Sequence, residues 1–470
     1  MSVLKFAVLG HPNEGKSSVV STITENERVN ISSTPGETTR ATTFELSFDG
    51  QVALEIIDTP GFQNPATTLH WFENWKGEES EMVEAFIDAH RNDPAFHHDL
   101  ELMIPLKERA GILYVADASR PLREIDRQEM EVLRYIGLPR LALLNFKREN
   151  RSFLPEWEEA LKRRFNLIKE FNAHQATFAQ RMQLFDALQH LIPEQAKDLN
   201  LIQQHMKTIW HQRMQDAVLE IEALMLKALR HQYKKRYQES ITLETQQSQA
   251  IAAYQADLIL LESRTRKQLR RIYQHEALPG RDENLDVMND ELFAEKVWKL
   301  LGLSRQQLAM TGLITGVAAG VGADLATGGI SFGVFTVSGA VLGGIGAWVG
   351  APKLGNKRFP FPGRRKLASE KIVVGPCKDP QLMFILLDRS LLYLLRLMNW
   401  AHARRDHEAF LSGLSAEAGL VRSWPDSLRK TFSHWIRIQS KPGHADAGEI
   451  SKKFKTQLLE WLSSQNSETT

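Results

Sequence analysis

A chain of 470 residues exceeds what one hydrophobic core organises, and a prior of roughly 100 to 200 residues per domain predicts two or three folding units. The 58 basic and 57 acidic side chains nearly cancel, which excludes a global electrostatic field for nucleic acid or an acidic substrate. The single cysteine, Cys377, excludes an internal disulfide and a spaced zinc site, so a reducing cytosol is expected.

Residues 1–195 alternate short apolar runs with helical patterns, which is typical of βαβ units around a largely parallel sheet. The first apolar run leads directly into a glycine-rich loop and therefore predicts a buried strand rather than a cleaved signal peptide. Six strands are predicted, over 4–9, 43–48, 52–58, 111–116, 140–145 and 167–171. Helices are predicted over 15–24, 124–136, 155–164 and 178–191. The predicted fold of this domain is α/β, with a mostly parallel six-stranded sheet.

Residues 10–17, Gly-His-Pro-Asn-Glu-Gly-Lys-Ser, form a GxxxxGKS pattern between a predicted strand and a predicted helix. Backbone N–H groups of such a turn, together with the positive end of the helix, surround the β and γ phosphates of a nucleoside triphosphate. Lys16 is expected to reach those phosphates, and the Ser17 hydroxyl to ligate Mg²⁺. This P-loop NTPase pattern predicts a nucleotide-binding set of Gly10, Asn13, Glu14, Gly15, Lys16, Ser17 and Ser18.

A second motif, Asp58-Thr59-Pro60-Gly61, ends the apolar strand at 52–58. Asp58 is predicted to hold Mg²⁺ through water, and Gly61 to present its N–H to the γ phosphate. Phe62 follows, and an aromatic ring cannot orient the attacking water. The water-positioning group is therefore expected elsewhere, and the candidates left open are Glu73, Glu78, Glu79, Glu81 and Glu84.

Between these motifs lies Pro35-Gly36-Glu37-Thr38-Thr39-Arg40. With GHPNEGKSS before it and DTPGF after it, residues 1 to about 175 resemble the Era, TrmE and EngA group of bacterial GTPases. The resemblance implies GTP and GDP as ligands and hydrolysis of GTP. It implies that Thr39 closes over Mg²⁺ and that Asn13 holds K⁺ near the bridging oxygens, where a cation would neutralise transition-state charge. The catalytic set so implied is Lys16, Asn13, Thr39 and Gly61.

The base-recognition motif of that group, NKxD, is degenerate here, since the residues after the predicted fifth strand read Asn145-Phe146-Lys147-Arg148. Asn145 matches the motif. Phe146 replaces the lysine that packs over the base, and no aspartate closes the motif. Glu149 would take the place of the aspartate if the loop is shifted, and the equivalent of the group's last base loop is expected near 172–174. The choice between guanine and adenine therefore stays open in the residues, and a guanine preference follows from the resemblance.

Residues 196–308 predict a helical stalk or bundle, because no glycine or proline occurs between 195 and 275. Two long antiparallel helices with a turn near 239–242 are expected. Residues 352–470 predict a C-terminal helical region. There Asp388, Arg389 and Arg396 interrupt the apolar run 382–400 and argue against a membrane span.

Residues 309–351 contain one charged side chain, Asp324, and recurrent glycines at small-xxx-small spacing. Basic residues flank both ends of this segment, as expected for cytoplasmic flanks. A glycine-zipper apolar hairpin that dips into or crosses the membrane is therefore predicted. The alternative is a buried hairpin in a soluble bundle, which the mean hydropathy of -0.31 favours.

The whole arrangement resembles an uncharacterised bacterial family that joins a GTPase domain to a C-terminal helical domain of unknown function. The leading hypothesis is a regulatory or mechanochemical switch at the cytoplasmic face of the cell membrane, in which nucleotide state reorders residues 32–40 and 61–100. The alternative is a soluble Era-like GTPase in ribosome or RNA metabolism, although no RNA-binding platform follows residue 195. A homo-oligomer or GTPase-domain dimer is also open.

Overall fold

The computed structural model describes residues 3–27, 29, 38–275, 278, 353–354, 371–376, 380–404, 410 and 420–467. The predicted hairpin at 309–351, Cys377 and residues 32–37 of the predicted switch segment lie outside these residues. Across the described residues, no helix combines the length and apolarity that crossing a bilayer requires.

A six-stranded sheet forms the N-terminal part of the chain, in the order β2-β3-β1-β4-β5-β6. Its strands are β1 (Leu4–Leu9), β2 (Thr42–Phe48), β3 (Gln51–Asp58), β4 (Gly111–Asp117), β5 (Arg140–Asn145) and β6 (Leu167–Glu170). β2 runs antiparallel to β3, and the other neighbouring pairs are parallel. All six predicted strands are confirmed, each end falling within one residue of its prediction.

Helices cover both faces of this sheet. They are α1 (Lys16–Thr24), α2 (Pro65–Glu73), α3 (Met82–His90), α4 (His97–Lys107), α5 (Glu124–Ile136), α6 (Leu154–Lys162) and α7 (Phe178–Leu191). In β1, Phe6 and Val8 are buried on one face of the sheet, and Ala7 and Leu9 on the other. Four of these helices were predicted, whereas α2, α3 and α4 form a helical insertion that the sequence patterns did not reveal.

The C-terminal part is mainly helical. Its helices are α8 (Ala196–Arg230), α9 (Leu243–Ile272), α10 (Pro380–Met398), α11 (Asp426–Gln439) and α12 (Ala447–Ser467). The predicted turn near 239–242 is close to the observed start of α9, where the Thr242 side chain accepts a hydrogen bond from Thr245 N. The first long helix, however, ends at Arg230, about nine residues earlier than that turn implied.

A small sheet was not predicted. β7 (Tyr233–Arg236), β8 (Lys353–Leu354) and β9 (Lys371–Val374) pair antiparallel in the order β7-β9-β8. β7 is four residues long and three of them are charged, so it lacks the apolar alternation by which strands are recognised.

Two charged side chains inside the apolar run of α10, Asp388 and Arg389, have partners within the protein. Arg389 Nε donates to Glu262 Oε1 of α9 at 2.8 Å, and both side chains are buried. Asp388 Oδ1 accepts a hydrogen bond from Val421 N at 2.9 Å. These contacts place α10 inside the helical core, in agreement with the prediction that this run is not a membrane span.

Candidate nucleotide-binding site

The phosphate loop connects β1 to α1 through two glycines with positive φ angles. Gly10 has φ 138° and Gly15 has φ 100°. A Cβ atom would lie 2.3 Å from Val115 O at Gly10, and 2.5 Å from Asn145 Nδ2 at Gly15. Neither position accepts a side chain, so the loop wraps tightly at the carboxyl end of the sheet.

Lys16 is buried at the first position of α1. Its Nζ donates to the carbonyl oxygens of Gly10 at 3.1 Å and His11 at 3.0 Å. Burial lowers the pKa of Lys16, while the nearby carboxylate of Asp58 opposes that shift. The ammonium group is therefore held over its own loop by two carbonyl oxygens, where an anionic phosphate would satisfy it better.

Ser17 and Asp58 meet beside the loop. The Ser17 hydroxyl donates to Asp58 Oδ2 at 2.7 Å. Asp58 is 4% exposed, and its Oδ1 atom is buried without a hydrogen-bond partner among the described residues. Burial raises the pKa of Asp58 to about 6, against the Ser17 hydrogen bond and the charge of Lys16. A buried carboxylate oxygen without a donor, next to a hydroxyl, fits the oxygen ligands that Mg²⁺ requires.

Gly61 lies directly against the phosphate loop. A Cβ atom there would come within 2.4 Å of Pro12 Cδ and 2.5 Å of Pro12 N. Phe62 is 1% exposed and packs into the core beneath the sheet, so its ring is shielded from solvent. The five candidate glutamates of the insertion are all exposed.

Asn13 and Thr39 lie at the accessible side of the loop region. Asn13 is exposed, with a left-handed φ of 65°. Thr39 is also exposed and comes three residues before Thr42, which pairs with Asp58 in the β2–β3 register. The register thus places the chain that carries Thr39 at the same edge of the sheet as the Ser17 and Asp58 pair.

Asn145 connects three loops. It is 1% exposed, its Nδ2 donates to Glu14 O at 3.0 Å, and its Oδ1 accepts from Ala173 N at 3.4 Å. Ser18 Oγ lies 3.3 Å from His174 Nε2. The loop at 172–174 therefore contacts the phosphate loop helix, and Asn145 braces that loop as well as standing at the predicted base site.

Phe146 stands at the position of the motif's lysine, and its contacts are with Arg151 and Asn172. The Arg151 guanidinium stacks over its ring at 4.6 Å, and Asn172 Nδ2 donates to its carbonyl at 3.2 Å. Lys147 N donates to Asp117 Oδ1 at 3.3 Å. These contacts fix the loop after β5 through groups other than an NKxD motif.

The side chain of Glu14 faces away from the phosphate side, a role that the sequence did not reveal. Its Oε2 accepts from Asp117 N at 2.6 Å, and its Oε1 accepts from Arg120 Nη2 at 2.7 Å. Arg120 also donates to buried Asp126 at 2.7 Å. Glu14 thus contributes to the loop through its backbone, while its carboxylate anchors the loop to β4 and α5.

A second anchor lies under the loop. His11 Nδ1 is 2.7 Å from Glu129 Oε1, and the Tyr114 hydroxyl donates to Glu129 Oε2 at 2.9 Å. Burial raises the pKa of Glu129, and the hydrogen bond with His11 opposes this. Glu129 lies on α5, and it carries no sequence signal that would have identified this anchor.

The end of α1 contacts the helical region through a shared carboxylate. Glu25 binds Arg181 Nη1 at 2.5 Å and Arg213 Nη1 at 2.7 Å. Although burial opposes it, these two guanidinium groups hold the pKa of Glu25 well below its usual range. Because Arg213 belongs to α8, the helix that begins at Lys16 ends in an ion pair with the first long helix.

A second contact joins the chain just after α1 to the residues that follow α9 and α10. Glu27 Oε1 lies 2.9 Å from His275 Nδ1, and the His275 ring stacks on His402 at 4.1 Å. Burial holds the pKa of His402 well below its usual value. Glu27 precedes the polar segment 32–40, so both acidic residues link the nucleotide site to the helices.

The parallel sheet, the glycine-rich loop and the carboxylate at the end of β3 define a P-loop GTPase domain, and residues 5–146 match the family model described as 50S ribosome-binding GTPase. Residues 158–462 match the family model described as Domain of unknown function (DUF3482). The chain therefore belongs to the DUF3482 family and carries an Era/EngA-like bacterial GTPase domain ahead of that region.

Individual relatives match the N-terminal part. Over 143 residues the chain is 32% identical to the probable GTP-binding protein EngB of Xylella fastidiosa (strain Temecula1), covering 29% of this chain and 57% of the relative. Over 139 residues it is 28% identical to GTPase Era of Clostridioides difficile (strain 630), covering 30% and 38%. These alignments span about half the length of the curated relatives, or less.

A crystal structure of a variant of Era from Aquifex aeolicus bound to GDP and AlF4⁻ is also similar to this chain. The two chains are 16% identical in sequence. The match covers 58% of this chain and 90% of the Era chain, and its TM-score is 0.30.

Proposed function

We propose that this protein hydrolyses GTP to GDP and phosphate with Mg²⁺ and acts as a molecular switch. The observation that carries the proposal is the hydrogen bond between Ser17 and Asp58 beside the buried Lys16. An ammonium group and a hydroxyl–carboxylate pair at the start of a helix form the arrangement that phosphoryl transfer needs.

The residues take distinct roles in this proposal. Lys16 neutralises the β and γ phosphates, and the backbone N–H groups of the loop orient them. Ser17, Asp58 and Thr39 would hold Mg²⁺, which when bound supplies charge neutralisation at the phosphate oxygens. Gly61 presents its N–H to the γ phosphate, since its lack of a Cβ permits the close approach to the phosphate loop.

We also propose K⁺ as an activating cation held by Asn13. The exposed position of Asn13 and its left-handed backbone support this, because they leave its amide oxygen accessible beside the loop. Potassium should then stimulate phosphate release more than sodium does. An Asn13→Ala variant that keeps the full potassium stimulation would refute this part of the proposal.

The switch function is supported by the two contacts at the end of α1. Glu25 and Glu27 lie between the phosphate loop helix and the segment 32–40. Glu25 binds Arg181 on α7 and Arg213 on α8. Glu27 binds His275 after α9, and the His275 ring stacks on His402 after α10. A displacement of this segment with nucleotide state would change those contacts. The helical region would then be the output of the switch.

Two places of action remain as proposals. The glycine-rich sequence 309–351 favours the cytoplasmic face of the membrane. The description of the matched GTPase family favours the ribosome. Cell fractionation separates them: recovery in the membrane pellet that is lost on deletion of residues 309–351 supports the first, and co-sedimentation with ribosomal subunits supports the second.

Phosphate release from GTP by the purified full chain tests the activity directly. We expect turnover with Mg²⁺ that EDTA abolishes. A Lys16→Ala variant should lose both nucleotide binding and turnover, while Lys162→Ala, an exposed lysine on α6, serves as the control. Turnover that survives Lys16→Ala would exclude this site as its source.

A further inference from the structure

The helical insertion α2–α4 begins just after Gly61 and Phe62 and contains a cluster of aromatic rings. Trp71 contacts the Phe86 ring edge-on, with centroids 5.2 Å apart, and Phe72 contacts the same ring at 5.4 Å. His90 lies 4.2 Å from Phe96. Phe72, Phe86 and Phe96 are buried, so they form the small core on which α2 and α3 rest.

Part of this cluster faces an open groove of about 420 Å³, lined by Thr67, His70, Trp71, Asn74, Trp75 and His90. The rings of Trp71 and Trp75 are stacked with centroids 5.2 Å apart, and both residues are half-buried. The Trp75 indole N–H donates to Glu78 O at 3.0 Å, which fixes its ring at the edge of the groove. Two half-buried indole rings thus form part of the groove wall.

The segment that forms the groove is strongly acidic. Between residues 63 and 99 the sequence has eight aspartate or glutamate residues against one lysine and one arginine. Glu84 pairs with Lys107, and Asp88 pairs with Arg91. Four other carboxylates of this segment are exposed and have no ion-pair partner among the described residues: Glu73, Glu78, Glu79 and Glu81.

We propose that this groove is a docking site for an arginine-bearing segment of a partner protein. A guanidinium group stacks on indole faces and pairs with carboxylates through its planar donors, and this combination matches what the groove presents. The same negative charge opposes a nucleic-acid backbone, because the phosphates would face unpaired carboxylates. Arginine should bind better than lysine, since an ammonium group lacks the flat face that stacks.

Helix α4 connects the insertion to the chain just after residue 40 and to the chain just after Gly61. On α4, Asp99 accepts hydrogen bonds from Gln63 N at 3.2 Å and Asn64 Nδ2 at 3.2 Å. Glu101, two residues later, accepts from Ala41 N at 3.0 Å. A displacement of the chain at Ala41 or at Gln63 and Asn64 would therefore change the contacts of α4 within the insertion. The dependence of docking on nucleotide rests on the proposed function, whereas the docking itself does not.

Fluorescence anisotropy with a labelled nona-arginine peptide and the full chain tests the proposal. Replacing the accessible indole in Trp75→Ala should weaken binding about tenfold, the value of a cation–π contact of about 1.4 kcal/mol. Trp75→Phe should retain most of the affinity, and Glu78→Gln/Glu79→Gln should weaken binding. The charge-matched control Glu158→Gln/Glu159→Gln, on α6, should change the affinity less than twofold.

Three results would overturn the docking site: equal binding of the peptide by the wild type and Trp75→Ala, equal affinity for nona-lysine, or binding of single-stranded RNA that Trp75→Ala abolishes. Circular dichroism of Trp75→Ala establishes that the variant is folded. A Lys16→Ala chain should bind the peptide with the wild-type affinity, and adding nucleotide should not change that affinity. This result separates failure of the docking site from failure of the nucleotide function.

Discussion

The side-chain amide of Asn145 donates a 3.0 Å hydrogen bond to the backbone carbonyl of Glu14. The bond joins the end of β5 to the phosphate loop at the position where a side chain on Gly15 would collide with the same amide. Asn145 therefore shapes the part of the site that holds phosphates, whichever base is bound.

An Asn145→Ala substitution tests whether Asn145 acts mainly on the phosphate loop or on the base. It leaves Glu14 O and Ala173 N buried without their partner, at a cost of about 1–3 kcal/mol in unfolding free energy. We expect the affinities for GTP and ATP to fall by similar factors, measured by competition with a fluorescent GTP analogue. A loss confined to GTP would show that base recognition, rather than loop geometry, is its main role.

The raised pKa of Asp58 predicts a pH effect on stability. Because the folded chain retains the proton up to about pH 6, against an ordinary value of 3.8, folding stability should fall as the pH rises through this interval. The full effect is about 3 kcal/mol. Urea unfolding in EDTA between pH 4 and 7 should show a steeper decline for the wild type than for Asp58→Asn. Parallel curves would contradict the assignment.

Gly61→Ala should displace the phosphate loop through a steric clash of the added methyl group with Pro12. Its added Cβ would lie 2.4 Å from Pro12 Cδ and 2.5 Å from the Pro12 nitrogen, so the phosphate loop or the chain after β3 must shift. We expect GTP turnover to fall at least tenfold, since such displacements of positioning groups are costly. Gly448→Ala in α12, where nothing lies within 4 Å, is the matched control and should leave turnover unchanged.

Glu25→Gln should weaken the junction between the two parts of the chain. It leaves the buried guanidinium groups of Arg181 and Arg213 without their countercharge, which costs about 3–5 kcal/mol for buried pairs. Urea unfolding measures the loss. Adding Arg213→Met to this variant should recover part of the stability, and a double variant less stable than Glu25→Gln would exclude the ion pair as the cause.

The sequence predicted the central strands well because they are buried on both faces and read as continuous apolar runs, as in β4 and β5. The loop at 10–17 and Asp58 were predicted by motif, and the structure places Ser17 and Asp58 within hydrogen-bond distance. Local patterns were sufficient for these features.

The missed features depend on contacts between distant residues. Glu25 and Arg213 are 188 residues apart, and neither has a neighbour that marks it as an ion-pair partner. The helices α2 and α3 of the insertion have nine residues each and are separated by turns, so each is shorter than the window of roughly 11 to 18 residues in which a helical period is recognised. β7 gains its structure from pairing with β9, more than 130 residues later.

Hydrogen–deuterium exchange of the full chain tests most directly whether nucleotide state reaches the helices. With a non-hydrolysable GTP analogue against GDP, both with Mg²⁺, we predict changed exchange in peptides around Arg213 in α8 and around His275. Glu25→Gln should lose these distant changes but keep those at 10–17 and 58–64. Exchange beyond residue 195 that is identical in both nucleotide states would contradict the switch.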